Sequence, residues 1–293
     1  MEFTCNICPR KCNKIRNEEN GEGLCQMPYY AKISRYSLHK WEEPCISGTK
    51  GSGTVFFTGC NLKCVYCQND KITQGNLKNI GKIVSMDELK NICNDLINKG
   101  AHNLNFVTPS HYIYILEKLL TTNKFKVPIV YNSSGYDDID SLKKLKGLVD
   151  VYLPDLKYFN SDISTIYSHA PNYFDVAKNA ILEMYNQVGD CVFDDNQMIK
   201  KGVIVRHLIL PNNVSNTISV LKWCKDNLPQ GIMISIMAQY IPNNNLKDFP
   251  ELQRKINKIE YNKVLKYMLD NNMDNGYMQD MSSASCKYIP DFY

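Results

Sequence analysis

Three cysteines stand in the run Gly59-Cys60-Asn61-Leu62-Lys63-Cys64-Val65-Tyr66-Cys67. The spacing is C-x3-C-x2-C, with an aromatic residue just before the last thiol. Three thiolates this close can hold three corners of a cubane iron–sulfur cluster, whose full protein ligand set is four. The missing ligand leaves one iron open to a chelating small molecule. An open metal position is what separates a catalytic site from a structural one. Structural zinc, the competing reading, needs four ligands, and no histidine or fourth cysteine follows at finger spacing.

A second constellation precedes it, Cys5-x2-Cys8-x3-Cys12-x12-Cys25. Four thiolates complete a ligand set for zinc or for an auxiliary cluster. The segment is poor in apolar residues and needs a metal staple in place of a core. Spacing does not choose the metal. Zinc is favoured because a closed four-thiolate site has no evident electron partner nearby.

Composition sets the frame for these sites. The chain has 293 residues, 44% of them hydrophobic and 22% charged, which are ordinary globular values. A net charge of +4 without a dense basic block gives nucleic-acid binding no electrostatic support. No run of about 18 apolar residues predicts a membrane span. The start lacks the basic and apolar regions of a signal peptide. Twelve cysteines in such a chain point to metal or buried thiols rather than disulfides. A reducing cytoplasm is expected. Cys93, Cys191, Cys224 and Cys286 are scattered and are expected to pack as apolar groups.

From residue 51 onward, short β-branched and aromatic runs alternate with amphipathic stretches. Strands are expected at 53–58, 103–108, 128–131, 149–153, 202–210 and 231–237. Helices are expected at 86–98, 113–120, 138–146, 174–187, 218–226 and 252–269. Six β/α units imply a parallel sheet with right-handed crossovers. They fall short of the eight that close a full barrel. The expected fold is α/β: a partial (β/α)6 TIM-like barrel over 51–293, with a cysteine-rich metal-binding extension over 1–50. Chemistry in such folds sits at the C-terminal ends of the strands.

The cysteine run resembles the signature of the radical S-adenosylmethionine superfamily, C-x3-C-x-(aromatic)-C. That resemblance implies a 4Fe–4S cluster on Cys60, Cys64 and Cys67. S-adenosylmethionine would chelate the open iron, and Tyr66 would lie against its adenine. Reductive cleavage would release a 5′-deoxyadenosyl radical. The resemblance also implies a three-quarter barrel, an anaerobic setting, since an exposed cluster tolerates oxygen poorly, and a low-potential electron donor of the flavodoxin or ferredoxin type.

Polar residues cluster at the expected strand ends. After the second strand stand Thr108, Ser110 and His111, where many members of that family carry Gly-Gly-Glu. The two hydroxyls could replace its acceptors, and His111 either caps a helix or faces the site. After the third, Asn132 and Ser134 could bond a ribose or the methionine carboxylate, or simply form a turn. After the fourth, Asp155 and Lys157 share one face of an extended chain. They match an Asp-Leu-Lys motif found in activating enzymes of glycyl radical enzymes. On the fifth, Arg206 points opposite Val205 and His207. It would hold the carboxylate of S-adenosylmethionine or pair with Asp155. Gln239 and Tyr240 after the sixth are candidates for the substrate side.

Further segments, Cys8-Pro9-Arg10, Trp41-Glu42-Glu43-Pro44 and Gly51-Ser52-Gly53-Thr54, resemble one branch of the superfamily, homologous to the pyruvate formate-lyase activating enzyme. The leading expectation is therefore an activase that takes a hydrogen atom from a glycine of a partner glycyl radical enzyme. The alternatives are a radical enzyme acting on a small molecule or peptide, and a metal-binding module without catalysis.

Overall fold

The computed structural model describes residues 2–73, 80–243, 246–285 and 292, so Cys286 lies outside the described residues. The chain opens with a hairpin, β1 (Phe3–Cys5) antiparallel to β2 (Lys14–Arg16). Then follow β3 (Ala31–His39), α1 (Pro44–Ser47), β4 (Ser52–Phe57), α2 (Asp70–Thr73), β5 (Lys82–Val84) and α3 (Met86–Asn98). The middle of the chain holds β6 (Leu104–Val107), α4 (Ile113–Thr122), β7 (Ile129–Ser133), α5 (Ile139–Lys143), β8 (Val151–Pro154), α6 (Ser161–Ser168) and α7 (Tyr173–Val188). The last third holds β9 (Val192–Phe193), β10 (Ile199–Leu208), α8 (Val214–Asn227), β11 (Met233–Met237), α9 (Lys258–Asp270) and β12 (Gly276–Met278).

The main sheet runs β12-β11-β10-β8-β7-β6-β4-β3-β5, with β9 on the flank of β10. From β4 through β12 the neighbours on this path are parallel. The six expected strands are all present, and their helices follow in the expected order. This mixed β/α fold agrees with a partial barrel. The sequence pattern missed a seventh parallel strand, β12, which is three residues long. It also missed β3, antiparallel to both β4 and β5, which weaves part of the segment before residue 50 into the sheet. The final helix starts at Lys258 rather than near residue 252, because Asn257 and Glu260 form a capping box there.

Side chains alternate between two faces along each strand. Tyr131, Tyr152, Val203 and Val205 share the main core with residues of α4, α5 and α7, such as Leu116, Leu142 and Ile181. The opposite face carries Val130, Val151, Leu153, Ile204 and Met233, which pack on Cys45 and Ile46 of α1. Helix α1 is thus a plug in the inner face of the curved sheet. Asn103 ties it down by donating to the Ile46 carbonyl at 2.7 Å. Strands covered on both sides read as continuous apolar runs, and β4, β7 and β8 are buried along their whole length.

Candidate functional site

The loop after β4 carries the three-cysteine run. It leaves the strand through Gly59, whose φ of +84° suits glycine and whose missing Cβ would sit 2.5 Å from Met27. Asn61 donates to the Tyr136 carbonyl at 2.6 Å, and Asn243 donates to the carbonyls of Val65 and Cys67. Gln68 donates to the Gln239 carbonyl at 3.0 Å. The loop is held from the turns that follow β7 and β11 and from the segment beyond.

The thiols sit among defined partners. Ser168 donates to Cys64 Sγ at 2.9 Å, and the Leu62 amide donates to Cys60 Sγ at 3.4 Å. Tyr66, Tyr158 and Ser168 form a hydroxyl chain with both links at 2.6 Å, ending at Cys64. Burial pushes the Cys60 and Cys67 thiols up to about 12, and the neighbouring Cys64 adds to the rise in each. A cationic metal group would offset that cost, since thiolate is the ligating form. The donor set fits such a group in its chemistry. Among the described residues, however, no three His, Cys, Asp or Glu side chains already converge at metal-ligand spacing.

Cys64, Tyr66 and Cys67 border a cleft of about 210 Å³ that also takes in Asn132, Asp155, Lys157, Arg206 and Gln239. The structure therefore gathers residues from the ends of four strands beside the cysteine loop. Arg206 is the hub. Its Nε donates to Asp155 at 3.0 Å, Nη1 to Glu42 at 3.1 Å and Nη2 to Asn132 at 2.6 Å. Lys157 donates to the other Asp155 oxygen at 2.5 Å. Burial raises the Asp155 carboxyl, but Lys157 and Arg206 together hold it below the usual carboxylate range. Of the two expected roles of Arg206, the geometry contains the pairing with Asp155.

Other candidates lie elsewhere. Thr108, Ser110, His111, Ser134 and Tyr240 do not border the cleft. His111 is fully buried, with Nε2 on the Thr58 carbonyl at 2.8 Å, and burial with nearby Arg16 holds it near 3. Ser110 is buried beside Asp137 and Tyr131. Tyr240 donates to the Leu252 carbonyl at 2.6 Å, with its ring edge-on to Tyr66.

Sequence reasoning missed Glu42 as a site residue. It lies before α1, 164 residues from Arg206, yet it accepts from Asn105, Asn132 and Arg206. In the sequence its run, Trp41-Glu42-Glu43-Pro44, signals only the branch resemblance.

Cys5, Cys8, Cys12 and Cys25 line one small pocket together with Arg16, Gly23 and Asn61. Arg16 donates to Cys25 Sγ at 3.2 Å. Arg10 donates to the Asn61 carbonyl at 2.7 Å and the His169 carbonyl at 2.6 Å. The four-cysteine group thus abuts the residue after Cys60. Among the described residues these four thiols do not form a group already at metal-ligand spacing, so neither zinc nor an auxiliary cluster is favoured by their geometry.

A family model for the radical SAM superfamily matches residues 54–256. An uncharacterized protein of Methanocaldococcus jannaschii is 32% identical over 282 residues, covering 92% of this chain and 75% of the relative. Among solved structures, Streptococcus suis SuiB bound to its precursor peptide superposes with a TM-score of 0.50 at 11% identity, over 76% of this chain. The chain spans 47% of the length of SuiB. Methylornithine synthase superposes with a TM-score of 0.51 at 16% identity, over 80% of this chain and 73% of that one. Spore photoproduct lyase gives 0.51 at 10% identity, over 76% and 74%. At these identities the structural likenesses are likenesses of fold.

Proposed function

The chain belongs to the radical SAM superfamily, and from that premise we propose that it is a radical enzyme acting on a small molecule or on one residue of a peptide. When bound, a 4Fe–4S cluster supplies the electron that cleaves S-adenosylmethionine to methionine and a 5′-deoxyadenosyl radical. Cys60, Cys64 and Cys67 would hold that cluster. Ser168 and the Leu62 amide would hydrogen-bond the ligating sulfurs, and Lys157 places a positive charge nearby. Asn132, Asp155, Lys157 and Arg206 would orient S-adenosylmethionine.

The observation that carries this reading is the shared cleft, in which two of the three cysteines face the Asp155–Lys157–Arg206–Glu42 network. The inner face below it is filled by α1. A cleft closed at its base suits a compact substrate better than a deeply inserted loop of a glycyl radical enzyme. One solved structure of similar fold is bound to a precursor peptide, and two others are named as a methylornithine synthase and a spore photoproduct lyase, so the fold serves ligands of several kinds.

Incubation with S-adenosylmethionine and dithionite tests the reading. The expected product is 5′-deoxyadenosine, lost in Cys60→Ala, Cys64→Ala and Cys67→Ala. Cleavage retained in any of the three would overturn the ligand assignment. The activase reading would regain first place if a partner protein gained a glycyl radical signal in electron spin resonance. The electron donor under this reading is of the flavodoxin or ferredoxin type.

The four N-terminal cysteines would hold a second metal, as zinc or as an auxiliary cluster. Metal analysis of anaerobic wild type and the Cys60/Cys64/Cys67 triple alanine variant separates these. A loss of about four irons with one zinc retained means zinc, and about eight irons falling to four means a second cluster.

A further inference from the structure

We propose that Glu43 anchors the substrate through a primary ammonium group, in a recess that opens off the cleft beside β11 and β12. The inference rests on the preceding reading and names the chemistry that its substrate carries.

The recess has a volume of about 240 Å³ and is walled by Trp41, Glu43, Ser235, Tyr277 and Gln279. It shares Trp41, Glu42, Arg206, Met237 and Gln239 with the cysteine-bordered cleft, so the two spaces adjoin. No cysteine borders it, which places it away from the end where Cys64 and Cys67 stand. Its volume falls below the roughly 300–1,000 Å³ of pockets that enclose whole drug-sized ligands. A group the size of one side chain suits it.

Among the described residues that border the recess, Lys40 and Arg206 are the cations and Glu42 and Glu43 the carboxylates, and the buried cation, Arg206, is committed to Glu42 and Asp155 rather than to Glu43. Asp155 takes Lys157 and Arg206 on its two oxygens. Glu42 takes Arg206 and two asparagine amides. Glu43 is 8% exposed; Ser235 lies in hydrogen-bond reach of its carboxyl, while among the described residues its Oε2 makes no hydrogen bond. A buried acceptor left unmatched carries a cost that an arriving donor removes.

The surroundings favour a cation over a neutral donor. Trp41 and Tyr277 add aromatic walls, which attract ammonium groups, and Met237 adds an apolar surface for an alkyl stem. Lys40 also borders the recess but is exposed at its rim. Burial holds the Glu43 carboxyl above its usual range, although Arg206 pulls it down. A bound ammonium would return it to the anion.

Calorimetric titration of the anaerobic holoenzyme with S-adenosylmethionine present tests this. The probes are N-acetyl amides of lysine, ornithine and arginine, the matching norleucine amide as an uncharged control, and free lysine. The expected result is at least tenfold tighter binding of a lysine or ornithine probe than of norleucine. Glu43→Gln, which keeps shape but not charge, should bring that ratio below about twofold. If Glu43→Gln does not fold, the wild-type ratio alone decides. Binding of the blocked amides points to a peptide residue, and binding of free lysine alone points to a small molecule; both support the ammonium. Equal binding of lysine and norleucine, no binding of any probe, a preference for arginine alone, or an intact ratio in Glu43→Gln overturns the inference. Wild-type cleavage of S-adenosylmethionine without a cation preference removes this inference and leaves the radical-enzyme reading standing. Absence of cleavage removes the reading itself.

Discussion

Arg206 shows what single residues disclose before any fold is known. A guanidinium on an apolar strand demands an anion, so its importance was legible, and alternation along β10 placed it opposite Val205 and His207. Of its partners, Asp155, 51 residues away, was legible in the sequence as an alternative; Glu42, 164 residues away, was not, and only the curved sheet brings it to the same point. Glu42 carries no local signal, because a Glu-Glu-Pro turn reads as an ordinary polar loop. The same geometry predicts the result of deleting Arg206. Arg206→Ala leaves two largely buried carboxylates short of a cation, and breaking such a buried pair costs about 3–5 kcal/mol. Urea unfolding should show this as a lower midpoint with an unchanged slope. Arg206→Lys should recover part of it, since one ammonium cannot reproduce three diverging N–H bonds. A midpoint unchanged in Arg206→Ala would mean that the network contributes nothing to the fold.

At the scale of elements, periodicity worked where burial was one-sided. Helix α3 has Leu89, Cys93 and Leu96 buried and polar residues opposite, and both of its limits agree with the expected 86–98. Helix α6 escaped notice because its sequence, SDISTIYS, is mostly small and polar; its start depends on Asn160 capping the amides of Asp162 and Ile163. Helix α1 was also missed. Four residues are too few for a periodic signal, and its role comes from position rather than pattern. Ile46 is fully buried against side chains from four strands. Ile46→Ala should therefore cost about 2–5 kcal/mol, the range for a large-to-small change in a core that cannot collapse. The plug follows Glu42 and Glu43 directly, so the same variant should also weaken S-adenosylmethionine binding measured by titration. A stability loss under about 1 kcal/mol would show that the strands close over the gap and that α1 is no wedge.

The whole molecule concentrates buried ionisable groups of opposite tendency, and its response to acid depends on which prevail. His207 is fully buried, with Nδ1 on the Leu156 carbonyl at 2.6 Å and Nε2 on Thr217 Oγ1 at 2.9 Å. Nδ1 donates to the carbonyl, and in the neutral ring that burial favours, Nε2 accepts from the hydroxyl. Burial lowers it to about 4, and His111 to about 3. Between pH ~6.5 and ~4 the unfolded chain takes up protons at these positions and the native one does not. Each such histidine therefore removes stability as pH falls, by about 1.4 kcal/mol per pH unit. Glu42, Glu43 and Asp137 act in the other direction. Burial holds all three above their usual range, so they lose stability as pH rises from about 4. The two sets offset each other through the mildly acidic range, and the total profile is flatter than either set alone. The difference between wild type and His207→Gln isolates one member. That difference should grow by about 1.4 kcal/mol per unit from pH ~4 to ~6.5 in favour of wild type and level off above pH ~7. Urea midpoints measured anaerobically across this range provide the check. A difference that stays constant would mean that His207 takes up its proton in the fold as readily as in the unfolded chain, and that the acid response belongs to the carboxylates.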